Sequence, residues 1–221
     1  IAAESLDIEF KRRSDDRADV DPTLVVARGT SGEGKGQQLV TVADDKVQLT
    51  TMNLVAELRP DSNGKIAVGD LVAEGQLRVE RNDGVWAAAD KLVASGADRW
   101  ADLTAEDPTE SPVALGLSDR SIIRGPQVHL EDGPGLLHVF GVGTFDHLQP
   151  LTDADAINPA LAAQADPDIP PGMMRIRASW SRSMLFVNQT GRIECHGDAE
   201  VSDRSAVEGR VARCERLLLD I

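Results

Sequence analysis

Apolar and polar residues alternate with period two along much of the chain, as in Leu77-Arg78-Val79, Val128-His129-Leu130 and Ile176-Arg177-Ala178. Alternation of this kind sends every second side chain to one face, so it predicts strands with one buried side. Turn residues stand between the runs: Asn82-Asp83-Gly84, Asp132-Gly133-Pro134-Gly135, and 188–191. Gly, Asn and Asp tolerate the positive φ that hairpin turns need. No helical stripe persists for long. The best helix candidate, 153–165, opens on Asp and is rich in Ala. It reads equally well as linker, because Pro159, Pro167, Pro170 and Pro171 crowd it.

A short pattern recurs within this alternation. It reads Glu4-Ser5-Leu6-Asp7-Ile8, then Met52-Asn53-Leu54-Val55-Ala56, then Asp90-Lys91-Leu92-Val93-Ala94, and finally Glu215-Arg216-Leu217-Leu218-Leu219. A second element, Gly-x-apolar-x-apolar, precedes two of the copies as Gly75-Gln76-Leu77-Arg78-Val79 and Gly197-Asp198-Ala199-Glu200-Val201. Glycine inside a strand marks a bulge or bend. Two elements recurring in one order predict a stacked architecture whose units bury their apolar faces against their neighbours.

Two hairpins can be placed in register by arithmetic. A four-residue loop at 132–135 sets Leu130 opposite Leu137, Val128 opposite Val139, and His129 opposite His138. A four-residue loop at 203–206 would set Cys195 opposite Cys214, within reach of a disulfide, or leave two buried free thiols. A bridge would imply an oxidising compartment such as a periplasm. The two facing imidazoles make at most half of a metal site, and no metal or other cofactor is expected.

Composition narrows the function. Lys and Arg total 23 and Asp and Glu 37, for a net charge of −14. Phosphate contact needs clustered Lys and Arg, so nucleic acid is excluded as a partner. Aromatics make up only 3% of the chain, which argues against a stacking platform for bases or sugars. No apolar run approaches the roughly 20 residues of a membrane-spanning helix. The chain begins and ends inside a copy of the pattern, so it is expected to be part of a longer precursor.

The acidic pairs Asp15-Asp16, Asp44-Asp45 and Asp153/Asp155 lack calcium-loop spacing and read as solvated faces. The stretch Gly29-Thr30-Ser31-Gly32-Glu33-Gly34-Lys35 has phosphate-loop spacing. Gly36 stands where that motif needs Ser or Thr, and a strand-like run follows where it needs a helix, so it reads as a loop. Trp86, Trp100 and Trp180 read as core anchors. No nucleophile elbow or Cys/His arrangement appears, and the expectation is a protein without enzymatic activity.

Gly75 to Val79 followed by Ala89 to Ala94, and Ile122-Ile123-Arg124-Gly125-Pro126 followed by Val139-Phe140-Gly141-Val142-Gly143, resemble the repeat of the OstA-like proteins of lipopolysaccharide transport. The resemblance covers most of 71–145 and returns in 180–221. It implies an all-β jellyroll, or β-taco, of stacked antiparallel strands with at most one short helix in a linker. Residues 1–145 would form one repeat segment, 146–172 a Pro/Ala/Asp-rich linker, and 173–221 a further unit of the same or a second jellyroll. It further implies a periplasmic or otherwise extracytoplasmic protein whose apolar trough holds a lipid or glycolipid amphiphile. Edge strands would pair with other envelope proteins or with copies of itself. The inward candidates for the trough are Leu77, Val79, Val128, Leu130, Leu137 and Val139.

Overall fold

The computed structural model describes residues 1–12, 20–32, 35–60, 63–117, 120–150, 169–170, 172–204 and 209–220. Its elements are all strands: β1 (Ser5–Arg12), β2 (Val20–Arg28), β3 (Thr30–Gly32), β4 (Lys35–Gln38), β5 (Val40–Ala43), β6 (Val47–Thr51), β7 (Asn53–Pro60), β8 (Ile66–Arg81), β9 (Trp86–Ser95) and β10 (Trp100–Thr104). There follow β11 (Val113–Gly116), β12 (Ser121–Gly125), β13 (Gln127–Glu131), β14 (Leu136–Phe140), β15 (Gly143–Pro150), β16 (Met173–Trp180), β17 (Ser183–Val187), β18 (Arg192–Arg204) and β19 (Gly209–Asp220). The chain is all-β and jellyroll-like. One antiparallel sheet takes 17 strands, and β3 and β4 form a separate two-stranded hairpin. That hairpin occupies the stretch with phosphate-loop spacing, so a short strand pair stands where a loop was expected.

The sheet is folded along a seam into two leaves. Leaf one runs β1-β2-β7-β8-β9-β10-β13-β14-β17-β18-β19. Leaf two runs β5-β6-β8-β9-β11-β12-β15-β16-β18-β19. The long strands β8, β9, β18 and β19 cross the seam and belong to both. β8 bends at Gly75 (φ 80°) and Gln76 (φ 48°), and β18 at Gly197 (φ 78°) and Asp198 (φ 42°). The ladders skip a step at both places. These are the two Gly-opened elements of the sequence, and positive φ is what glycine supplies at least cost. The bend's carbonyls stay satisfied: Met52 N–H donates to Gly75 O at 2.8 Å, and the buried Thr51 hydroxyl donates to Glu74 O at 2.9 Å. The turns at 82–84, 132–135 and 188–191 lie at the free lips of the leaves, away from the seam.

The four copies of the repeat land in one register. Leu6, Leu54, Leu92 and Leu217 share a single row just beyond the seam on leaf one, completed by Ala27, Ala73, Leu103, Val128, Val139, Met184 and Cys195. The row is buried except at its two ends, because each rung covers its neighbours and the terminal rungs have one neighbour only. Inward side chains of both leaves join one hydrophobic core. β15 pairs with β16 from Gly143↔Trp180 to Pro150↔Met173, so the last unit continues the same sheet. Residues 146–150 are strand rather than linker, and the helix candidate at 153–165 lies outside the described residues.

Candidate functional site: an apolar cleft between the leaves

The leaves close on each other at the seam and part towards their lips. Between them lies a cleft of about 860 Å³. Leaf one lines it with Leu71, Leu92, Ala94, Ala101, Leu130, Leu137 and Phe186, and leaf two with Val47, Leu49, Val79, Val85 and Leu117. Most of the leaf-one residues form the second inward row, where Leu71, Ala94, Ala101, Leu130, Leu137 and Phe186 are consecutive cross-strand partners. Ala94 and Ala101 stand side by side in that row, and their small side chains leave space that the facing leaf does not fill.

The expected trough residues therefore divide. Val79, Leu130 and Leu137 line the cleft, while Leu77, Val128 and Val139 are fully buried in dry core beside the seam. Their shared inward face is as expected. Distance from the seam decides which of them reaches the cleft. Leu71, Leu92, Ala94, Ala101 and Phe186 were not picked out from the sequence. One signal was present: Ala94 is the fifth position of its repeat copy, the position that falls in the second row.

Past the cleft, towards β18, larger side chains close the interior. Phe145, Trp180, Met184 and Ile193 are all buried there. A Cβ on Gly143 would lie 2.5 Å from Cζ2 of Trp180, so the glycine makes room for the indole. Where the cleft ends near Leu117, the buried Ser121 hydroxyl meets His147 Nδ1 at 2.8 Å. Of the three tryptophans, only Trp180 is a core anchor. Trp86 is half-buried beside Gly116 and 5.0 Å from the Arg78 guanidinium, and Trp100 lines the cleft.

The lips are polar. Arg81 on leaf two pairs with Asp83 at 2.7 Å, and Arg99 on leaf one pairs with Asp132. Arg81, Arg99, Glu131 and Asp132 all border the cleft. On the outer face of leaf one, His129 stands opposite His138, as the hairpin arithmetic predicts. Its ring lies 2.8 Å from Asp102 through Nδ1 and 3.2 Å from Glu131 through Nε2. Burial pulls the His129 pKa down, but the two carboxylates outweigh it, and the net shift is upward. His138 packs against Phe140 at 3.9 Å between ring centroids, and burial together with the charges of His129 and His196 lowers its pKa. Among the described residues no group of three or more His, Cys, Asp or Glu side chains is placed to hold a metal.

The cysteines are free, which corrects the register expected for them. Cys195 pairs with Leu217 and Cys214 with Ala199. The last pair of the hairpin is Arg204↔Gly209, which moves the pairing four residues from the expected register, and the bend at Gly197-Asp198 takes one of those four back. Burial pushes the Cys195 thiol up to about 12. Asp44 caps its own turn, accepting from the N–H groups of Lys46 and Val47, each at 2.7 Å. These bonds hold its carboxyl below the usual range, and the side chain belongs to turn structure. Asp15, Asp16, Asp153 and Asp155 lie outside the described residues.

Comparison with family models, curated proteins and solved structures gives no match. No helix among the described residues is long and apolar enough to cross a membrane.

Proposed function

We propose that the protein is a non-enzymatic cell-envelope protein, working outside the cytoplasm, that holds a lipid or glycolipid amphiphile between its two leaves. One observation carries the reading: a cleft of about 860 Å³ lined by aliphatic side chains from both leaves and rimmed by charge. Each CH₂ of an acyl chain buried there gains about 0.8 kcal/mol, while the lips leave a polar head in water. The OstA-like motifs of the sequence point the same way.

Native mass spectrometry of protein purified from its host's envelope, with lipid extraction of the same sample, tests the reading. A stoichiometric amphiphile is expected on the natural chain, and Leu130→Asp should lose it without unfolding. A folded Leu130→Asp protein that kept its lipid would rule out the cleft as the binding place.

The open edges favour a second reading, a structural module that pairs strands with other envelope proteins or with copies of itself. β1 is a terminal strand whose inward Leu6 and Ile8 are 45% and 41% exposed. Terminal strands of this kind template further strands. The same spectra would then show concentration-dependent oligomers free of lipid. A protein that stays monomeric at every concentration counts against this alternative.

A further inference from the structure

Resting on the reading of the cleft as an amphiphile site, we infer that its occupant is a single phospholipid with one or two acyl chains and a zwitterionic head. Size is the first argument. About 860 Å³ falls inside the roughly 300–1,000 Å³ typical of a site for one small ligand, and the cleft stays open along its lips. Towards β18 the space does not continue, because Phe145, Trp180, Met184 and Ile193 fill the interior there. A lipid with many chains cannot extend the remainder in that direction.

Charge is the second argument. The lips bring two guanidiniums, Arg81 and Arg99, to the border of one apolar space, each already held by a carboxylate, Asp83 and Asp132 respectively. An anionic head gains the arginines but meets both acids, in a chain whose net charge is already −14. A cationic head meets the converse conflict. A head carrying phosphate and ammonium together satisfies both signs, with the phosphate towards Arg81 and Arg99 and the ammonium towards their partners Asp83 and Asp132.

The test titrates the purified chain, stripped of lipid, with four probes: lysophosphatidylcholine, phosphatidylcholine, phosphatidylglycerol with the same acyl chains, and a six-chain phosphorylated glycolipid. The two choline lipids should bind one to one, with phosphatidylcholine about threefold or more tighter than phosphatidylglycerol, the scale of exposed ion pairs. The glycolipid should not bind. The double variant Arg81→Ala, Arg99→Ala should lose the preference while remaining folded. Phosphatidylglycerol binding as well as phosphatidylcholine, or glycolipid binding at similar affinity, would overturn the assigned occupant and leave the cleft standing. Failure of all four probes would overturn the cleft itself.

Discussion

Between β8 and β10 the second inward row of leaf one carries Ala94 and Ala101 side by side, whereas between β17 and β18 it carries Phe186 and Ile193, with Phe145 and Trp180 packed nearby around the small Ala178 and Ala199. The strand pairing is of one kind in both regions. The first encloses a cleft and the second is closed, with Trp180 filling the corner that Gly143 vacates. A bent double sheet is therefore hollow or solid according to which inward side chains meet across it, and the backbone plan leaves the choice open. Dry packing at one end also gives the open region a rigid frame to stand on.

The strongest way to break this contrast is to hollow out the solid region. Trp180→Ala should cost about 3–5 kcal/mol, the usual range for emptying an aromatic core site. A denaturation midpoint that barely moved would mean the C-terminal region is no more tightly packed than the middle. A sharper test places one substitution in both regions. Ala178→Leu, at a fully buried position between Phe145 and Val201, should cost about 1–3 kcal/mol through overpacking. Ala101→Leu projects into the cleft, so it should shift stability by less than about 1 kcal/mol while lowering the lipid stoichiometry proposed for the cleft. Equal costs at the two sites, read from paired unfolding curves, would erase the distinction.

The smallest effect concerns how the open region is held from outside. His129 has its pKa raised in the fold by Asp102 and Glu131. Its contribution is full below the unfolded value of roughly 6.5 and fades as pH rises through the folded one. His129→Gln should thus cost about 0.5 kcal/mol at pH 5 and nearly nothing at pH 9. Unfolding curves at the two pH values check this, and a loss that grew with pH would reverse the assignment.

Much of this architecture could be read from the chain alone. Alternation gave the strands, and the turn at 132–135 gave the pairing of Val128 with Val139, because its Asp, Gly and Pro residues mark its limits. Gly75 and Gly197 announced the bends. The hairpin of Cys195 and Cys214 failed for a matching physical reason: 203–208 contains no Gly, Asn or Pro to fix the turn, and a two-residue error in its position moves the pairing by four. The cleft was half legible. Which residues face inward is a local property of a strand, so Leu77 and Leu130 looked alike. Whether an inward side chain meets a neighbour or a space depends on the opposite leaf, which no local pattern reports.

The common row of Leu6, Leu54, Leu92 and Leu217 makes the length of the molecule adjustable. These positions are structurally equivalent points in successive turns of the chain, so a splice between two of them removes whole rungs and rejoins strands already in register. Leu54 and Leu92 are such a pair, and the bend at Gly75 leaves with the rungs it serves. Variants of different length made this way would keep one cross-section and differ only in how far the stack extends, so gene duplication and deletion can resize this fold without redesigning its interior.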